Sequence, residues 1–149
     1  INALLRPTHL YSIAKASVFL FLVKYFEHQN IDFLWTRIFY LYGEGEDERG
    51  LVGELRKKLA LGESVDLTQG KQIRDFIDVE IAGAIIADAS LGLNVGAFNV
   101  CSGEGMSVRE LAEKIADEYG SRELLNFGAR QDNLLDEPFV VGVSSEVRA

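Results

Sequence analysis

The chain has 149 residues with a formal net charge of −8, long enough for one domain with a buried core and too acidic for the basic surface that binding nucleic acid requires. Apolar residues make up 48% and charged residues 26%, which excludes the low-hydrophobicity composition of a disordered chain. The single cysteine, Cys101, allows no internal disulfide and no paired-thiol metal site, so no metal is expected and Cys101 itself is read as a buried strand-end residue.

The first residues lack the basic-then-apolar layout of a secretory leader, and the apolar stretch 16–23 is too short to cross a bilayer. A cytoplasmic protein with no membrane contact is expected. Pro7 and Thr8 predict a turn before a helix over 11–28, flanked by His9 and His28, both read as structural or surface residues. Its apolar residues, among them Ile13, Val18, Phe19, Leu20, Phe21 and Phe26, occupy every face. Such a helix is buried on both sides, one against the chain's own sheet and the other against a further layer or a second subunit.

Residues 31–43, rich in aromatic and β-branched side chains and closed by glycine, predict a buried strand. The acidic run 43–50 reads as a solvated loop. A helix follows in 50–62 with Leu51, Leu55 and Leu59 at helical spacing, then short strands at 65–67 and 72–77. Asp78 caps a small-residue helix, and 96–103 is another strand ending in a glycine turn. Ser107 and Glu110 form a capping box at the start of the next helix, which Gly120 stops, with Leu111, Ile115 and Tyr119 on its apolar stripe. A last strand at 124–128 runs into an irregular tail. Strands alternate with helices and most strands are continuous apolar runs, so the fold class is α/β with a parallel or mixed sheet covered on both faces.

Within this frame Tyr11 and Lys15 stand four apart on a greasy helix and so share one face. A tyrosine hydroxyl titrates near ~10 and is a poor acid–base group at neutral pH; an ammonium beside it stabilises the phenolate and makes proton exchange with a substrate alcohol feasible. Spacing alone makes such a pair more often an accident than a device. The order of motifs changes that balance. "LYSIAK" at 10–15, "RIFYLYGEG" at 37–45, "GKQIRDFIDVE" at 70–80 and "FNVCSGEGMSVRELAEKIA" at 98–116 together resemble the C-terminal half of the NAD-dependent epimerase/dehydratase family, the extended short-chain dehydrogenase/reductases that work on nucleotide sugars. The resemblance runs from Pro7 to about Asp132.

What the resemblance implies is specific. The chain would be the back of a Rossmann-type doubly wound sheet plus a small α/β substrate-binding lobe, with residues 1–43 ending the dinucleotide-binding domain. Residues 44–149 would be mainly substrate lobe, the strand and helix near 72–101 returning to the Rossmann sheet. Tyr11 would be the general acid/base and Lys15 its partner, both touching the cofactor, NAD or NADP. Phe39 would lie at the nicotinamide end. Tyr40 stands where many members have a substrate-binding asparagine, Arg74 matches an arginine that grips the diphosphate, and Arg130 matches a late arginine near the nucleotide. Arg37 is read as bracing the loop 43–49. Without the family context, Arg74 reads as a surface partner of Asp78.

The family's glycine-rich pyrophosphate turn and the Ser/Thr that assists the tyrosine are absent from these residues, so the chain reads as half of an active site, inactive alone. The substrate partner would be a nucleotide sugar, and the helix at 11–28 would form a homodimer. Two other readings stay open: a family member that binds dinucleotide as a sensor or scaffold without turnover, and a stand-alone acidic interaction domain.

Overall fold

The computed structural model describes residues 9–133 and 136–146; the expected turn at Pro7 and Thr8 lies outside them. Helix α1 (Leu10–Gln29) is followed by β1 (Leu34–Ile38) and β2 (Tyr40–Tyr42), then α2 (Leu51–Ala60), β3 (Val65–Leu67), β4 (Ile73–Asp78) and α3 (Val79–Leu91). The remainder runs β5 (Gly96–Val100), β6 (Gly105–Ser107), α4 (Val108–Glu118), β7 (Leu125–Phe127) and β8 (Phe139–Val140). The class is mixed α/β with mainly parallel pairing: β1 with β5, β2 with β4, β3 with β7 and β4 with β8 are parallel, and β4 with β6 is antiparallel.

The expected single strand over 31–43 is two strands with different partners. β1 pairs with β5 in the register Leu34↔Gly96 to Ile38↔Val100, whereas β2 pairs with β4 from Tyr40↔Phe76 to Tyr42↔Asp78. The break falls at Phe39, whose N–H donates to the Val100 carbonyl at 3.1 Å. Continuous β propensity cannot register this change of sheet, because the partner strands lie far along the chain. β1 is also less buried than expected: Leu34 to Arg37 are half-buried and Ile38 is exposed.

Two apolar clusters hold the elements. In one, Val52, Leu55 and Leu59 of α2 meet Val65 and Leu67 of β3 and Leu111, Ala112, Ile115 and Ala116 of α4. Leu55 and Val65 are fully buried, each contributing about 1.5–3 kcal/mol relative to exposure. In the other, Ala82 and Ala89 of α3 let the helix approach Ile77, Phe98 and Val100 closely. The α4 capping box forms as expected, with the Glu110 N–H donating to the Ser107 hydroxyl and the Ser107 N–H donating to the Glu110 carboxylate. Asp78 caps α3 by accepting from the N–H groups of Glu80 and Ile81. Tyr119 is not part of the α4 stripe: it caps the helix at 40% exposure, and Gly120 follows at φ +60°.

Helix α1 meets half of its expectation. One side packs on β1 and the residue before it, with Phe19 against Trp35 at 5.4 Å between ring centroids and Phe26 stacked on Phe33 at 5.0 Å. No residue of α1 is buried, and Leu10, Leu20 and Phe21 are more than half exposed. The acidic loop is not wholly solvated either. Glu46 is half-buried, and burial pushes its carboxyl up from its ordinary value against the smaller opposing effects of the nearby Val52 and Gly53 N–H groups.

The tail carries structure that a turn-rich, low-periodicity sequence conceals. β8 adds to β4 in the register Ile73↔Phe139 and Arg74↔Val140, and beyond it the chain docks on Asp75. This aspartate is fully buried. Its Oδ1 accepts the Ser102 N–H at 2.7 Å and the Ser102 hydroxyl at 2.8 Å, and its Oδ2 accepts the N–H of Gly103 at 2.9 Å and of Gly142 at 3.1 Å. A carboxylate is the one side chain that accepts at both ends, and buried donors left unmatched cost about 1–3 kcal/mol each. Asp75→Asn should therefore destabilise the protein by about 3 kcal/mol, because the amide turns its own N–H groups onto two backbone donors. A lowered urea midpoint with unchanged m-value is the expected reading, and an unchanged midpoint would contradict the assignment.

Candidate active site

Tyr11 lies in the first turn of α1, exposed at 74%. The Lys15 ammonium sits 5.6 Å from its ring centroid, as the i, i+4 spacing requires. Phe19 continues the same stripe one turn further on. Its ring carries the Arg37 guanidinium at 5.5 Å, so Arg37 lies on α1 through a cation–π contact instead of bracing the loop at 43–49.

Arg37 and Phe39 then form one wall of a cleft of about 570 Å³, which Tyr40, Asn99 and residues 140–143 complete. The 140–143 wall is held against β5 by two bonds: the Asn99 amide donates to the Val143 carbonyl at 3.0 Å, and the Asn99 N–H donates to the Ser145 hydroxyl at 2.9 Å. Gly142 fits only as glycine, since an added Cβ would stand 2.5 Å from the Cys101 sulfur and 2.9 Å from the edge of Phe39. Cys101 is buried at the end of β5, and burial, helped by the nearby Asp75 charge, pushes its thiol up against the smaller opposing effect of the Ser144 hydroxyl. It is no activated nucleophile.

Arg74 is 3% exposed and does not pair with Asp78. Its Nη1 donates to the Ile73 carbonyl at 2.9 Å, its Nη2 to Asp136 at 2.7 Å, and its guanidinium lies 5.3 Å from the Tyr40 ring centroid. Tyr40 in turn meets Phe76 edge-on at 5.9 Å. Tyr40 and Arg74 are thus neighbours across β2 and β4. Arg130 stands apart from them, forked onto Glu54 of α2 at 2.6 and 3.1 Å, and Asp132 accepts the Gln69 N–H at 3.0 Å. Among the described residues no cluster of metal-ligating side chains occurs, and no helix is long and apolar enough to cross a membrane.

Three features lie outside the sequence reading: the Asp75 junction, Asp136 on Arg74, and the 140–143 wall. Asp75 left a trace, as an acid between Arg74 and Phe76 in a strand that also carries Ile73 and Ile77. Asp136 and the wall left none, because they reach β4 from more than 60 positions away.

The alternation of parallel strands and helices around these clefts defines a Rossmann-like α/β protein. A family model described as the NAD dependent epimerase/dehydratase family matches residues 2–101, more than half of the chain, and the chain belongs to that family. Among curated relatives, it is 30% identical over 116 residues to CDP-abequose synthase of Salmonella muenchen, a match covering 74% of this chain and 40% of that protein. Among solved structures, it resembles the UDP-N-acetylglucosamine 4-epimerase of Methanobrevibacter ruminantium in complex with UDP-N-acetylmuramic acid, at 25% identity and a TM-score of 0.85, covering 94% of this chain and 46% of that one. It also shares the fold of a dTDP-glucose 4,6-dehydratase from Bacillus anthracis in complex with NAD, at 19% identity and a TM-score of 0.86, covering 96% and 46%. The chain spans less than half the length of these relatives.

The Glu54 fork makes a pH prediction. Hydrogen bonds from Arg130 and then Lys58 hold the Glu54 carboxyl below its ordinary value. A depressed carboxyl contributes stability that is fully present above its unfolded value, near ~4.3, and is lost as pH falls through the lower folded value. Melting temperatures of the wild type and Glu54→Gln should therefore differ at pH 7 and converge as pH falls below about 4. A gap that stays constant over that range would contradict the assignment.

Proposed function

We propose that the protein is an NAD(P)-dependent nucleotide-sugar epimerase, dehydratase or 4-ketoreductase in which Tyr11 and Lys15 carry the proton chemistry. The observation that supports this reading is the Tyr11–Lys15 pair itself, 5.6 Å from ammonium to ring centroid, in a chain of the NAD dependent epimerase/dehydratase family. The residues present suit such a cofactor. The Tyr11 ring is exposed, and among the described residues Lys15 has no acidic partner to compete for its three N–H donors. A nicotinamide dinucleotide, when bound, supplies the hydride acceptor and donor.

The chain's own residues do the rest. As a sugar hydroxyl is oxidised, its proton passes to Tyr11 Oη and a carbonyl is left on the carbon. In the reverse direction Tyr11 Oη returns the proton to the oxygen as that carbon is reduced. The Lys15 ammonium stabilises the phenolate form of Tyr11 that takes up the proton in the first transfer and is regenerated by the second. In this reading Phe39 borders the nicotinamide end, and Tyr40, Arg74 and Arg130 lie on the substrate side, the planar guanidinium forks suiting phosphate oxygens. Residues 1–43 close the dinucleotide-binding domain, and 44–149 are mainly the substrate lobe.

The full-length protein with Tyr11→Phe should lose about 10²–10⁴-fold in kcat with little change in KM on a responsive nucleotide sugar. Undiminished turnover would overturn the assignment.

A homodimer through α1 belongs to the same proposal. What supports it is the apolar outer face of that helix: Val18, Leu20, Phe21 and Tyr25 are each about half exposed or more, and a subunit contact would dry them. Sedimentation should show a dimer that Phe21→Glu dissociates; a concentration-independent monomer would contradict it.

A further inference from the structure

We propose that Asp136 is a built-in stand-in for a substrate phosphate: it holds Arg74 until a nucleoside diphosphate takes its place. The inference rests on the reading of Arg74 as the residue that grips the diphosphate, and it adds that the grip is an exchange.

Arg74 is buried among partners of unequal firmness. It is 3% exposed. The Tyr40 ring lies near the guanidinium at 5.3 Å, and the Ile73 carbonyl takes Nη1 at 2.9 Å. Both belong to strands hydrogen-bonded into the sheet. The remaining known partner is Asp136, on Nη2 at 2.7 Å, and its side chain is 38% exposed. It also lines a small cleft of about 160 Å³ with Lys71, Gln72 and Asp132, where the Gln72 Oε1 is buried without a partner. Asp136 is thus the partly exposed partner among them, and an anion that takes Nη2 must take the place of its carboxylate.

Sharing is ruled out by charge. A phosphate oxygen within hydrogen-bond reach of Nη2 would stand beside the Asp136 carboxylate, and two like charges at that distance in a partly buried site repel strongly. The arrangement also has a physical reason to exist. A buried guanidinium without an anion is costly, and a carboxylate on a partly exposed segment satisfies it while remaining replaceable. Arg130 is the contrast. Its side chain is 50% exposed beside Glu54, so solvent as well as the carboxylate satisfies its charge.

The test uses the full-length protein and calorimetric titration with UDP, dTDP and CDP, with the matching nucleosides as phosphate-free controls. Asp136→Asn keeps the size and removes the competing charge. It should bind at least one of the diphosphates about tenfold tighter than wild type, with nucleoside affinity unchanged; tenfold corresponds to about 1.4 kcal/mol. Arg74→Met should weaken the same diphosphate. If Arg74→Met weakens binding while a folded Asp136→Asn leaves it unchanged or weaker, Asp136 is purely structural and the exchange is overturned. If Arg74→Met has no effect, or none of the three diphosphates binds, the reading of Arg74 fails and the exchange falls with it. Should Asp136→Asn not fold, a crystal structure of wild type with the diphosphate decides: a phosphate oxygen on Nη2 with Asp136 withdrawn is expected, and Asp136 still on Arg74 overturns the proposal.

Discussion

Four donors from three points of the chain converge on the Asp75 carboxylate, and the shape of the candidate site depends on that convergence. The hydrogen bonds from Ser102 and Gly103 fix the turn that follows β5. The bond from Gly142 fixes the tail, which becomes the far wall of the cleft beside Phe39 and Tyr40. A buried carboxylate tolerates this position only because each oxygen has donors of its own. The tail can come that close only because residue 142 has no side chain to meet Cys101 and Phe39.

Adjacent positions on β4 have opposite tasks. Asp75 is a fully satisfied buried acid that ties segments together. Arg74, one residue earlier and pointing to the other face of the strand, is a buried base whose counter-ion Asp136 is partly exposed. Strand alternation thus puts a structural charge and a candidate ligand-binding charge back to back in one strand. Each needs a partner supplied from the 136–142 segment, which makes that short and irregular stretch decisive for both. Helix α1 is joined to this arrangement differently, through rings: Phe19 packs on Trp35 and seats Arg37 at the cleft. The stripe that carries Tyr11 and Lys15 is thereby aligned with the end of β1, while the opposite side of the helix stays exposed.

The local elements were legible because local chemistry specifies them. Ser107 with Glu110, Asp78 before its helix, and the spacing of Leu55 and Leu59 each act within a few residues, and each is found in the expected place. The division of 31–43 into two strands was not legible, because β1 and β2 are separated by their partners, β5 and β4, and not by any breaker of their own. β6 and β8 were hidden for the same reason. They are two or three residues long and exist as edges of β4. Of the candidate site, the neighbourhood of Tyr11 and Lys15 follows from helical spacing alone. The surroundings of Arg74 do not: a surface pair with Asp78 and a buried pair with Asp136 are equally compatible with the sequence around it.

By itself, the sequence determined the α/β class, the helices with their caps, the absence of a disulfide framework, and the ordered motifs of an epimerase/dehydratase chain. Periodicity, capping and motif order act over short spans and are written in consecutive residues. The tertiary structure decided which charges are buried and what they face: Asp75 under the tail, Arg74 on Asp136 and Tyr40, Arg130 on Glu54, and Arg37 on Phe19. These pairings span from 18 to 76 positions, so nothing in the neighbouring residues encodes them. A charge becomes consequential when folding removes it from water, and only the packed chain determines which partner it then meets.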